Sequence, residues 1–86
     1  LYDSGQANYL EAIKWYRKAA ERGNAEAQYN LGYIYYAGHG VPQDYELAFG
    51  WFRKAAEQGL PLAQNNIGYM FLNGQGVSQD YVAAHM

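Results

Sequence analysis

The chain has 86 residues, a formal net charge of −2 and a pI near 5.5. That length allows one domain, burying about 60 to 65% of its unfolded surface, and the mildly acidic balance leaves no footprint for nucleic-acid phosphates. The lack of cysteine excludes a disulfide framework and a thiolate metal site but fits cytoplasm and periplasm equally, so the compartment stays unknown.

No apolar run approaches the roughly 20 residues of a membrane-spanning helix, and no signal-peptide pattern opens the sequence. Leu1 to Gly5 reads as the tail of a helix, followed by a tight turn to Asn8. From Asn8 to Arg22 the pattern is helical. Tyr9, Ala12, Ile13, Tyr16, Ala19 and Ala20 fall on one face at 3.6 spacing, and Glu11, Lys14, Arg17, Lys18 and Glu21 face away. Glu11 with Lys14, and Lys18 with Glu21, are spaced to pair. Gly23 suits the residue that closes a helix, and Asn24 suits the cap of the next. A second helix follows to Ala37, with Ala27, Leu31 and Tyr35 towards its predecessor. Gly32 falls inside it, where glycine costs about 0.5 to 1 kcal/mol relative to alanine, so close helix contact is expected there.

Gly38 and Gly40 bracket a loop, Val41 tucks beneath it, and Pro42 blocks helical continuation. Asp44 is placed to cap a third helix, Tyr45 to Gln58, whose core stripe is Tyr45, Ala48, Phe49, Phe52, Ala55 and Ala56. Gly59 ends it. Leu60 is a poor cap, but Pro61 suits a first helical turn, and a fourth helix runs to Leu72. Asn73 to Ser78 repeats the glycine loop, and Asp80 starts a further helix that stops at Met86. No strand-like alternation intervenes.

These elements repeat. Shifted by 36 residues, about half of the overlapping positions from Asn8 onward are identical. Ala27-Gln28 returns as Ala63-Gln64, Gly32-Tyr33 as Gly68-Tyr69, and Gly38-x-Gly40-Val41 as Gly74-x-Gly76-Val77. "WYRKAAERG" at Trp15 returns as "WFRKAAEQG" at Trp51. A fixed period of this size signals stacked supersecondary units. The order Ala-x-Ala/Leu-Gln, Leu/Ile-Gly-x-x-Tyr/Phe, Gly-x-Gly-Val, Asp, Ala-x-x-Trp, Lys-Ala-Ala, Gly resembles the Sel1-like repeat, a relative of the tetratricopeptide repeat. Its period of 36 exceeds the 34 of the latter, and the longer glycine loop accounts for the difference. The cysteine pairs of some secreted members are absent.

The resemblance implies an all-α, right-handed α-solenoid of antiparallel helix hairpins. It divides the chain into a partial unit at 1–23, a full unit at 24–59 and a truncated unit at 60–86, as expected of a segment from a longer array. It also implies an adaptor whose first helices line a concave surface that binds a protein or peptide. Those helices place Glu26, Tyr29, Asn30, Tyr33, Tyr36 and Ala37 on one face, answered by Leu62, Asn65, Asn66, Tyr69, Leu72 and Asn73. Tyrosine offers broad amphipathic surface at low entropic cost, and asparagine can bond an extended backbone. Against this stands packing between repeats. Tyr33 and Tyr69 divide evenly between the two roles, Tyr29 and Tyr36 lean towards exposure, and Asn30 and Asn66 are placed to bond neighbouring helices. The first helices contain no lysine or arginine, which disfavours a ligand held by its carboxylate or phosphate.

Trp15 and Trp51 recur beside the core stripe and read as structural. The Arg17-Lys18 and Arg53-Lys54 pairs read as a solvated outer face, since acids intersperse them. Chemistry is thinly represented. His39 and His85 lie in different units, and Ser4 and Ser78 have no local His and Asp arrangement around them. No zinc spacing is present, and "GHG" and "GQG" lack both the full glycine pattern of a phosphate loop and the strand before it. No catalytic residue, cofactor or metal is expected. The alternative to an interaction scaffold is a structural spacer, or a segment that self-associates end to end through its terminal hairpins and serves a separate enzymatic domain.

Overall fold

The computed structural model describes residues 2–77, with side chains from residue 8 onward. The helix expected from Asp80 to Met86, with Ser78 and His85, lies outside them. Four helices follow one another: α1 (Tyr2–Glu21), α2 (Ala25–Ala37), α3 (Tyr45–Glu57) and α4 (Pro61–Asn73). α2 packs on both α1 and α3, and α3 on α4, so each helix meets its sequence neighbour. The antiparallel hairpins stack into an elongated α-solenoid of 43 × 24 × 15 Å.

One junction differs from expectation. Gly5 to Asn8 forms no turn: α1 runs unbroken for 20 residues, where the other three helices have 13 each. This link lacks the second glycine and the proline that divert the chain at residues 38–42. Gln6 and Ala7 are good helix formers, and a lone interior glycine costs only about 1 kcal/mol, so the helix carries through.

Elsewhere the caps form as the residue types dictate. The Asn24 side chain accepts from the Ala27 N–H at 2.8 Å, and Asp44 accepts from the Leu47 N–H at 3.0 Å. α4 has no side-chain cap and starts on Pro61, whose missing N–H removes one of the groups that need satisfying. All four helices end alike. The N–H of Asn24, His39, Leu60 and Gln75 reaches back to the carbonyl of Ala19, Ile34, Ala55 and Met70, respectively. That closure needs a left-handed residue just before the donor, as at Gly38 with φ of 74°. The loop then returns to the same helix end, with Asp44 N–H on the Tyr35 carbonyl at 2.9 Å and Gln43 Nε2 on the Tyr36 carbonyl at 3.0 Å. The carbonyls of Ile34, Tyr35 and Tyr36 are thereby satisfied at the end of α2.

The core runs along the stack. Leu31, Ala48, Phe52, Ala55, Ala63 and Met70 are fully buried, and Ile13, Ala20, Ala27, Ile34, Tyr35 and Ile67 nearly so. Gly32 is a point of close approach between α2 and α3. A Cβ built there would stand 2.8 Å from Phe52 Cδ1 and 3.2 Å from the Ala48 carbonyl oxygen. One polar group is buried among these residues: Gln28 donates from Nε2 to the Ala20 carbonyl at 3.1 Å and accepts from Gln58 Nε2 at 3.0 Å. Gln58 also donates to the Gly23 carbonyl at 2.8 Å. One repeat on, Gln64 Nε2 donates to the Ala56 carbonyl at 3.2 Å.

On the outer face the charges pair differently from the spacing-based expectation. Glu11 accepts from Trp15 Nε1 at 3.2 Å in place of pairing with Lys14, and Lys18 lies over the Trp15 ring at 5.2 Å instead of meeting Glu21. Lys54 repeats this over Trp51 at 4.9 Å, and Arg53 pairs with Glu57 at 3.1 Å.

Two interior glycines test this packing. Gly50 has nothing within 4 Å of an added Cβ, so Gly50→Ala is expected to stabilise by about 0.5 to 1 kcal/mol. Gly32→Ala gains the same propensity but drives a methyl into a ring that has no room to retreat, and a net loss of about 1 to 3 kcal/mol is expected. Urea denaturation of the two variants decides, and the same sign for both would overturn the close-contact reading of Gly32.

Candidate functional site

Three depressions adjoin along α2, two of them reaching α4 and one reaching α1. The first, of about 210 Å³, is lined by Tyr29, Tyr33, Tyr36, Asn66 and Tyr69. Beside it lies one of about 290 Å³, lined by Glu26, Tyr29, Asn30, Leu60 and Leu62. The third, of about 310 Å³, joins Asn30 and Tyr33 to Tyr9, Tyr16 and His39. Tyr29 borders the first two, Tyr33 the first and third, and Asn30 the second and third, so the depressions adjoin one another.

Helical geometry explains the grouping. Glu26, Tyr29 or Asn30, Tyr33 and Tyr36 recur every three or four residues and share one face of α2. The 36-residue shift puts Leu62, Asn66 and Tyr69 at the matching places of α4. Behind this surface sits Phe52, fully buried, its ring centroid 5.4 Å from that of Tyr29 and 6.1 Å from that of Tyr36. Tyr36 also packs on Tyr45 at 5.1 Å, and its hydroxyl donates to Gln75 Oε1 at 2.8 Å, tying α2 to the loop after α4. Burial pushes the Tyr36 hydroxyl above its ordinary pKa of 10.0, with neighbouring tyrosines adding to the effect, so at neutral pH it stays a donor.

The order of exposure among the tyrosines is the reverse of that expected from sequence. Tyr33 is 47% exposed and Tyr69 56%, whereas Tyr29 and Tyr36 are half-buried on Phe52. The reason is position. Tyr29 and Tyr36 sit on the side of α2 that turns towards α3, and the ring of Phe52 reaches them past the gap left by Gly32. Asn30 and Asn66 are half-buried, and among the described residues neither side chain makes a hydrogen bond, so the expected bonding to neighbouring helices is not seen. Glu26 and Leu62 are exposed at one end of the face. Asn65, Leu72 and Asn73 are exposed but line none of the three depressions; Asn73 donates to the Tyr69 carbonyl at 2.9 Å, a local helix-end contact.

Sequence reasoning did not assign His39, Tyr9, Tyr16 and Leu60 to this surface. His39 stacks on Tyr9 with centroids 5.0 Å apart and planes 8° apart, and lies 5.9 Å from the Tyr33 ring. The "GHG" string was the available signal: an aromatic residue between two loop glycines, following a helix whose last turn is tyrosine-rich. Among the described residues no three His, Cys, Asp or Glu side chains gather as metal ligands, and no helix is long and apolar enough to cross a membrane.

The family model described as Sel1 repeat matches residues 1–24, 25–60 and 61–86. A crystal structure of c5321, a protective antigen of uropathogenic Escherichia coli displaying an SLR fold, superposes with a TM-score of 0.82 at 49% identity, over 84% of this chain and 15% of that one. A Sel1 repeat protein from Oxalobacter formigenes gives 0.83 at 40% identity, over 85% and 56%. Over 41 residues, the chain is 44% identical to HRD3 of Candida glabrata, an ERAD-associated E3 ubiquitin-protein ligase component; this covers 48% of the chain and 5% of that protein. It thus spans a minor part of HRD3 and of the antigen, and about half of the Oxalobacter protein.

The tyrosine environments predict a split in stability. Tyr29→Ala and Tyr36→Ala remove rings that pack on Phe52 and are each expected to cost about 1 to 3 kcal/mol, while Tyr33→Ala and Tyr69→Ala are expected to stay within about 0.5 kcal/mol. Chemical denaturation of the four variants checks this; equal losses across the set would overturn the division.

Proposed function

This chain belongs to the Sel1 repeat family, and on that premise we propose that it is a non-catalytic docking scaffold. It holds an extended peptide or a protein surface along the concave face of α2 and α4. The observation that carries the reading is the adjacency of the three depressions, which share Tyr29, Asn30 and Tyr33 in their linings. Tyr33, Tyr69 and Leu62 present exposed ring and aliphatic surface there, and Phe52 braces Tyr29 and Tyr36 from behind. Rigid aromatic anchors of this kind lose little entropy on binding, and the side-chain amides of Asn30 and Asn66 have no partner of their own among the described residues.

The HRD3 relative, named as a component of a ligase, accords with a part whose work is assembly. Within this reading the full unit at 24–59 supplies α2 and α3, and the unit from 60 supplies the second wall of the groove. Asn65, Leu72 and Asn73 form its outer margin, outside the depressions.

A peptide library displayed on phage and selected against this chain tests the proposal. Peptides so obtained are expected to lose about tenfold or more in affinity on combined Tyr33→Ala and Tyr69→Ala substitution, at an unchanged melting midpoint, and nothing on Lys14→Ala of the outer face. Selected peptides indifferent to the tyrosine pair would sink the α2/α4 assignment.

A further inference from the structure

The charges of this chain are segregated. Its six lysine and arginine residues are Lys14, Arg17, Lys18, Arg22, Arg53 and Lys54, all on α1, α3 or the turn that ends α1. α2 and α4 carry none. Their one carboxylate is Glu26, in the first turn of α2 and exposed. The face proposed for docking is therefore bordered by one acid and lined by aromatic rings, with no lysine or arginine from α2 or α4 to compete for them.

Aromatic faces carry negative potential and attract ammonium and guanidinium groups. The chain already makes this contact on its outer side, where Lys18 and Lys54 lie over Trp15 and Trp51. On the docking face the exposed rings of Tyr33 and Tyr69 border the 210 Å³ depression; among the described residues no lysine or arginine lies over them, and His39 approaches only the Tyr33 ring, at 5.9 Å. Glu26 borders the adjoining depression, two helical turns before Tyr33. Seven residues of helix rise by about 10 Å, close to the roughly 9 Å that three residues of a polyproline-II segment span, and in that conformation residues three apart project from the same side.

Resting on the docking reading above, we propose that the occupant is a doubly basic extended segment. One arginine or lysine places its cation against Tyr33 and Tyr69, and a second, three residues away, lies opposite Glu26. Charge complementarity selects this occupant. A neutral proline-rich segment also fits an aromatic cradle but draws nothing from Glu26, and an acidic segment is repelled by it.

The test uses the whole chain, labelled with ¹⁵N and observed by NMR, and two synthetic probes. One is the capped peptide Gly-Ser-Arg-Gly-Ser-Arg-Ser-Gly; the other replaces both arginines by citrulline, which keeps the shape and removes the charge. The arginine peptide is expected to shift resonances of α2 and α4 and to bind about fivefold more tightly than the citrulline peptide. Glu26→Gln should weaken it about twofold, more at low salt than at high. Tyr33→Leu with Tyr69→Leu should abolish the preference while leaving the folded spectrum intact. Equal affinity for both peptides at the same tyrosines overturns the charge preference and leaves groove docking standing. Shifts confined to α1 and α3 overturn both. No response to either peptide overturns the doubly basic occupant and leaves groove docking to the library selection.

Discussion

The ring of Phe52 is the contact on which stack and surface both depend. It is fully buried, seated against Gly32, and faced by the rings of Tyr29 and Tyr36. Because Gly32 has no side chain, α3 approaches α2 closely enough for one ring to fill the space between them. Protein interiors tolerate neither a void nor an overlap of this size, so that ring also determines how far Tyr29 and Tyr36 stand out from α2. Core and candidate binding surface are in this sense one construction.

A polar interaction sets the register of the same stack. Burying an amide costs free energy unless its donors and acceptors are met, and Gln28 is buried with a carbonyl acceptor on α1 and a glutamine donor from the end of α3. Gln64 makes the corresponding bond to Ala56 one repeat later. A chain that slid by one helical turn would leave such a group unpaired. Apolar packing by Leu31, Phe52 and Met70 supplies cohesion, and the glutamines make one alignment better than its neighbours. The shared helix closure at Asn24, His39, Leu60 and Gln75 then repeats the geometry from hairpin to hairpin.

This division of labour suits a module that binds. The residues that build the stack are small, apolar or internally satisfied, and the charged residues are sorted to the outer helices, where several are occupied with one another or with tryptophan. The face of α2 and α4 carries tyrosines, asparagines and one carboxylate, and neither lysine nor arginine. The proposed docking draws on the shape of that face, and the proposed basic occupant on its charge.

Repetition made much of the fold legible in advance. A 36-residue period, alternating helix stripes and paired glycines determined four helices, their caps and an all-α stack, because each is governed by local stereochemistry or by amphipathic spacing. The single misread junction, at Gly5 to Asn8, fell where the loop string was missing and helix propensity alone decided. The candidate face was legible as a set of positions on α2 and α4, but not the state of each residue. Only tertiary structure decided that Tyr29 and Tyr36 lie against Phe52 while Tyr33 and Tyr69 stand clear, since that outcome turns on which side of α2 meets α3. It alone brought His39 onto Tyr9 and gave Gln28 its partners, residues 8 to 30 positions apart. Local sequence specifies backbone shape through short-range sterics. Which side chains remain free depends on contacts between helices that no single repeat contains.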